Sequence, residues 1–189
     1  MTSGWLCAFV LLAGTAHAAP TVAIDSGRLA GTESEGVMTF KGIPYAAPPV
    51  GENRWRAPQP VEPWKDVRQA DKYGALCKQI VNTKDNGVGP PPDSEDCLTL
   101  NVFAPTLVKG KKSPVMYWIH GGGYVNGSGT AALYDGSELA KQGVVVVTIN
   151  YRLGRFGFFA HPALTRENPA GPLGNYGLMD MIAGLQWVK

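Results

Sequence analysis

The apolar run Pro114-Val115-Met116-Tyr117-Trp118-Ile119 ends in His120 and three consecutive glycines, Gly121, Gly122 and Gly123, with Tyr124 after them. The run is short, aromatic and β-branched, which predicts a buried strand. Glycines placed directly after a strand leave the backbone free in φ and remove the side chains that would hold a ligand away from it. In α/β folds, ligands meet the chain at the carboxyl ends of strands. Open backbone N–H groups at such a place suit a negative charge developing on a carbonyl oxygen, because they are oriented before the reaction begins. The segment therefore reads as half of an oxyanion hole. Taken alone, three glycines also fit a plain flexible turn.

The surrounding patterns predict a sheet with helices between its strands. Val144-Val145-Val146-Val147-Thr148-Ile149 is a continuous β-branched run, as expected of a central strand covered on both faces. Leu98, Leu100 and Val102 alternate with Thr99, Asn101 and Phe103, which predicts a strand with one face more buried. Residues 136–142 read as a short helix stopped by Gly143. Leu178, Met181, Ile182 and Leu185 fall at i, i+3, i+4 and i+7, the apolar stripe of an amphipathic helix running to Lys189. Near the start, Thr21 to Asp25, Arg28 to Gly31 and Val37 to Lys41 alternate with turn residues and predict a hairpin or meander at an edge. Pro44 to Pro63 and Gly87 to Pro92 read as irregular surface segments within one domain. Strands alternating with helices imply an α/β fold with a mixed, mostly parallel central sheet flanked by helices.

At 189 residues and 44% apolar content, the chain is long enough to bury one real core. Its 17 basic and 15 acidic side chains are scattered, and the densest basic group is only Lys109, Lys111 and Lys112, so nucleic acid is not an expected partner. Residues 1–18 contain no Asp, Glu, Lys or Arg, hold an apolar run from Trp5 to Leu12, and end in the small-x-small triplet Ala16-His17-Ala18. They read as a signal peptide cut after Ala18, although the usual Lys or Arg near the start is missing. A membrane anchor needs about 18 or more apolar residues, so no stable membrane span is expected from so short a run. The expected location is secreted or periplasmic. Cys7 leaves with the signal, and Cys77 with Cys97 form an even pair in an oxidising compartment, which points to a disulfide over two buried free thiols. Closing a loop of that length stabilises by about 3 kcal/mol in the chain-entropy model. No metal is expected at these cysteines, since no His or third Cys lies near them in the sequence.

Four segments carry a resemblance: Glu95-Asp96-Cys97-Leu98-Thr99-Leu100-Asn101-Val102-Phe103-Ala104-Pro105, Phe40-Lys41-Gly42-Ile43-Pro44-Tyr45-Ala46, Asn150-Tyr151-Arg152-Leu153-Gly154-Arg155-Phe156-Gly157-Phe158, and Gly174-Asn175-Tyr176-Gly177-Leu178-Met179-Asp180. Together they are similar to type-B carboxylesterases, the α/β-hydrolase family of para-nitrobenzyl esterases, liver-type carboxylesterases and cholinesterases. The resemblance implies an α/β-hydrolase fold and a serine ester hydrolase that works through an acyl-enzyme on a small carboxylic ester, with no metal or organic cofactor. It implies that the N–H groups of Gly122 and Gly123 are the oxyanion donors and that Gly121 allows the turn; His120 itself reads as bracing the glycine loop through a hydrogen bond. The resemblance also pairs Cys77 with Cys97 and implies structural ion pairs of Arg54 with Glu95 and Arg152 with Asp180. Tyr124 is expected to line the acyl or leaving-group pocket, or simply to pack.

In this fold the triad follows the order Ser, then acid, then His, so neither His120 nor His161 is expected to be the general base. Ser128 lies in Asn126-Gly127-Ser128-Gly129-Thr130, which lacks the outer glycines of G-x-S-x-G, and that motif occurs nowhere in the chain. The expectation is therefore that residues 19–189 are the N-terminal part of the domain, that nucleophile, acid and base lie beyond Lys189, and that this part alone is inactive. The stretch between Cys77 and Cys97 holds no aromatic residue, which disfavours a choline ester. The competing readings are a non-catalytic, neuroligin-like binding protein on the same fold and an amidase or lactonase using the same machinery.

Overall fold

A computed structural model describes residues 18–80, 92–106, 112–169, 171 and 173–189. The expected leader, save Ala18, lies outside the described residues, as do Lys109, Lys111 and most of the stretch from Gly87 to Pro92.

The main sheet has five strands which, in their order across it, are β3 (Thr32–Ser34), β4 (Val37–Pro44), β8 (Thr99–Pro105), β10 (Val145–Ile149) and β9 (Val115–Ile119). A smaller sheet joins β1 (Thr21–Ile24), β2 (Gly27–Ala30) and β5 (Val67–Gln69), and β6 (Leu76–Cys77) pairs with β7 (Asp93–Ser94). Helix α1 (Ser137–Lys141) lies between β9 and β10, and α2 (Gly154–Gly157), α3 (Pro162–Glu167) and α4 (Tyr176–Val188) follow β10.

The main sheet is mixed, but in this chain its parallel pairing is confined to β9 with β10, while β3 with β4, β4 with β8 and β8 with β10 are antiparallel. The connections explain the difference from the mostly parallel expectation. Ser34 faces Val37 across a two-residue turn in which Glu35 and Gly36 both have positive φ, at 51° and 77°. Such a turn forces antiparallel strands, whereas parallel ones need a crossover of a dozen or more residues. Residues 120–144, which contain α1, provide that crossover only between β9 and β10.

Core residues come from both sides of this sheet. Leu29, Phe40, Ile43, Leu98, Leu100, Val147, Ile149, Tyr151 and Leu153 form one buried cluster, and Val37, Phe103, Ala140 and Val146 form a second under α1. Cys77 and Cys97 sit inside the first cluster, joined by a disulfide with their Cα atoms 5.0 Å apart.

Two apolar faces stand exposed among the described residues. The strand after Pro114 is β9, and it is not buried here: it is an edge of the described sheet, with Val115 52% exposed and Met116, Trp118 and Ile119 exposed beside it. Helix α4 forms where predicted, but the stripe of Leu178, Ile182 and Leu185 faces away from the chain, with Ile182 57% and Leu185 53% exposed. Its buried residues are Tyr176, Gly177, Asp180 and Gly184, with Met181, Trp187 and Val188 packed at the margin. Close approach decides this face: a methyl on Gly177 would strike the Arg152 carbonyl and the Phe158 ring, and one on Gly184 would strike the Tyr117 hydroxyl. Tyr117 then donates from its hydroxyl to the Met181 carbonyl at 2.8 Å.

The other tie on that face is ionic. Asp180 receives Nε, Nη2 and the backbone N–H of Arg152 at 2.8, 2.7 and 3.0 Å, with both side chains buried, and Nη1 donates to the Arg56 carbonyl at 2.9 Å. Burial pushes the Asp180 carboxyl above the usual carboxylate range, and the bonds from Arg152 oppose that push. Arg54 grips Glu95 through Nε and Nη2 at 2.5 and 2.7 Å, but its side chain is 38% exposed.

These contacts predict a ranking of stabilities. Asp180→Ala leaves a buried guanidinium unpaired and lowers the unfolding free energy by about 3–5 kcal/mol, whereas Glu95→Ala, at a solvated pair, shifts the urea midpoint far less. Replacing Cys77 and Cys97 together by serine costs about 3 kcal/mol, read from urea unfolding without reductant.

Candidate functional site

Strand β9 delivers its carboxyl end to His120 and then to a turn in which Gly122, Gly123 and Tyr124 have φ of 112°, 60° and 64°. The Gly122 carbonyl accepts the N–H groups of Val125 at 3.1 Å and Asn126 at 3.2 Å, so the chain folds back on itself. A methyl on Gly122 would run into the Asn126 backbone and side chain, while methyls on Gly121 and Gly123 would meet open space. Gly122 is thus required by both contact and φ, and Gly123 by φ. Among the described residues, no hydrogen bond uses the N–H of Gly122 or Gly123, and both residues are exposed.

The peptide plane links each of these N–H groups to a carbonyl that is tied down. In a trans peptide the C=O of one residue and the N–H of the next point in opposite directions. The Gly121 carbonyl is bonded to Nδ1 of His120 at 2.8 Å, which fixes the direction of the Gly122 N–H. The Gly122 carbonyl is held by Val125 and Asn126, which fixes the Gly123 N–H in the same way.

His120 is itself clamped. It is 3% exposed, its ring stacks on Tyr151 with centroids 4.4 Å apart, and the Tyr151 hydroxyl donates to the His120 carbonyl at 2.9 Å. Burial pushes the imidazole down to about 4, so the ring is neutral at pH 7. Since a carbonyl only accepts, Nδ1 carries the proton, and the buried Nε2 has no partner among the described residues. Tyr124 is half exposed; its carbonyl accepts the Gly154 N–H at 2.7 Å and its ring packs on Phe158 at 4.9 Å. A non-glycine residue at this φ costs of order 1–3 kcal/mol and persists where its surroundings enforce it.

The other candidates have structural partners. His161 accepts the Ala163 N–H at 3.2 Å and caps α3. The Ser128 hydroxyl is buried, bonded to Thr130 Oγ1 and accepting the Thr130 N–H at 2.8 Å, so it is no exposed nucleophile. Among the described residues no cluster of His, Cys, Asp and Glu is placed to hold a metal ion, and no helix is long and apolar enough to cross a membrane.

Sequence reasoning missed the polar side chains that anchor the far limb of the loop. Asn150 accepts the Gly129 N–H at 2.8 Å and donates to the Ala75 carbonyl at 3.0 Å. Asn101 donates to the Gly129 carbonyl at 3.2 Å and to Thr148 at 3.0 Å, and accepts the Gly42 N–H at 3.0 Å. Gln79 accepts the Gly127 N–H at 2.8 Å and donates to the carbonyls of Gly127 and Cys77 at 2.9 and 3.0 Å. The available signal was an asparagine within or just beyond an apolar strand, a residue type depleted from strands.

The buried ring makes stability depend on pH. The unfolded histidine takes up a proton near 6.5 and the folded one near 4, so between those values the unfolded state binds more protons and stability falls as pH drops. His120→Gln removes this contribution, which amounts to about 1.4 kcal/mol per pH unit. Urea unfolding of both forms from pH 7 to pH 4.5 should therefore show the shallower decline in the variant.

Residues 18–189 match the sequence model of the Carboxylesterase family. Fumonisin B1 esterase of Sphingopyxis macrogoltabida is 49% identical over 165 residues, which cover 87% of this chain and 30% of that protein. Para-nitrobenzyl esterase of Bacillus subtilis (strain 168) is 49% identical over 170 residues, covering 89% and 34%. A solved PNB esterase superimposes with a TM-score of 0.81 at 46% identity, over 89% of this chain and 34% of that one. The chain spans about a third of the length of the curated relatives it matches. It belongs to the carboxylesterase family and forms part of that family's α/β-hydrolase fold.

Proposed function

We propose that the protein carrying this chain is a serine carboxylic ester hydrolase, and that residues 19–189 are the part of its domain that supplies the oxyanion loop. The reading is carried by the N–H groups of Gly122 and Gly123, which lie at the carboxyl end of β9, are unengaged among the described residues and are each oriented by a tied carbonyl. Serine, acid and histidine come from the two thirds of the domain that the relatives have and this chain does not span. The serine hydroxyl attacks the ester carbonyl as the histidine takes its proton, and the negative oxygen is received by Gly122, Gly123 and the N–H after the serine. The histidine then returns the proton to the leaving alcohol, and water releases the acid from the acyl-enzyme.

Tyr124, half exposed beside the two donors, lines the acyl or leaving-group side of the pocket. His120 works through the Gly121 carbonyl and never as the base. The substrate is a small carboxylic ester. Residues 1–18 direct export, a reading supported by the Cys77–Cys97 disulfide, since such bonds persist in oxidising compartments.

The complete gene product should release p-nitrophenol from p-nitrophenyl acetate and be labelled covalently by a fluorophosphonate, while residues 1–189 alone do neither. Gly123→Ala, which adds a methyl in open space but strains the left-handed backbone, should lower kcat by about 100-fold. A complete protein that shows neither turnover nor labelling contradicts the reading and favours a binding module.

A further inference from the structure

Gln79 stands two residues after Cys77, and its side-chain amide makes three hydrogen bonds, two of them to Gly127. We propose that Gln79 is a positioning residue for the oxyanion loop, acting through Gly127. The catalytic consequence rests on the ester hydrolase reading above; the mechanical consequence does not.

Gly127 takes both bonds as a neighbouring strand would, its N–H donating to Oε1 at 2.8 Å and its carbonyl accepting Nε2 at 2.9 Å. With φ of 110°, it packs so tightly on the loop that a methyl there would strike both the Gly121 carbonyl and Nδ1 of His120. Those are the two atoms whose hydrogen bond sets the Gly122 N–H. The residue before it, Asn126, supplies one of the two N–H groups that hold the Gly122 carbonyl and so set the Gly123 N–H. Both open donors thus depend on where Gly127 sits, and Gln79 holds Gly127 there through both of its backbone polar groups. The third bond, to the Cys77 carbonyl, fixes the amide to a residue locked by the disulfide. A glutamate has the same shape and can still accept the Gly127 N–H, but its carboxylate donates to neither carbonyl and is repelled by both.

The test uses Gln79→Glu and Gln79→Ala in the complete gene product. Steady-state kinetics on p-nitrophenyl acetate, a trifluoromethyl ketone as oxyanion mimic, and amide hydrogen exchange over residues 121–127 supply the readouts. Loss of alignment at both donors predicts kcat lower by about 10- to 100-fold with KM within about twofold, and weaker ketone binding by a similar factor. Exchange of the loop amides should speed up while that of β10 and α4 stays as in the wild type. If Gln79 only fills space, the isosteric glutamate variant retains wild-type kcat, and that result overturns the proposal whatever the exchange shows. Should the wild type hydrolyse no ester, the function reading fails by itself, and the exchange decides the clamp: faster loop exchange in Gln79→Glu upholds it, unchanged exchange overturns it.

Discussion

A peptide unit cannot turn its carbonyl without turning the N–H on its other side, and the loop after β9 depends on that constraint. Its glycines remove side chains, but glycine alone would leave the donors free to point anywhere. What orients the Gly122 and Gly123 N–H groups is the capture of the two preceding carbonyls, one by the His120 ring and one by the amides of Val125 and Asn126. Open donors and rigid backbone are opposing demands, and the loop meets both by spending carbonyls and keeping N–H groups free.

Rigidity is then passed outward through side-chain to backbone bonds. Residues 127–130 are buried, and Gln79, Asn101, Asn150 and Thr148 satisfy the backbone groups of Gly127 and Gly129. Each such bond contributes only about 0.5–1.5 kcal/mol net, but leaving its buried partner unpaired costs about 1–3 kcal/mol. The network therefore specifies one loop geometry more strongly than it stabilises the fold. Tyr151 serves the same end, stacking on His120 and bonding its carbonyl. It stands one residue before the Arg152 whose ion pair with Asp180 seats α4, so loop and helix share a support.

The local elements were legible in the sequence because short-range pattern decides them. The β-branched run became β10, the alternating run became β8, and the strand before the three glycines ends at Ile119, one residue short of them. Pairing direction was less legible, because a count of alternating elements does not reveal that Glu35-Gly36 is a two-residue hairpin turn while residues 120–144 are a crossover. The side of α4 that meets the described core was not legible, because period-3.6 counting weighs large apolar residues. Gly177 and Gly184 face the core because the Arg152 carbonyl and the Tyr117 hydroxyl come close to them, and Asp180 because it pairs with Arg152. Of the site, the glycines and His120 were visible. Gln79, Asn101 and Asn150 were not, because they act across 48, 28 and 21 residues of chain with no periodic trace.

Whether the N–H groups of Gly122 and Gly123 receive a negative oxygen is tested most directly by a crystal structure of the complete protein carrying a trifluoromethyl ketone or boronate adduct on the proposed serine nucleophile. The adduct oxygen is expected at about 2.7–3.1 Å from the backbone nitrogens of both Gly122 and Gly123. An adduct whose oxygen is held by other donors, with these two N–H groups still facing solvent, would contradict that expectation.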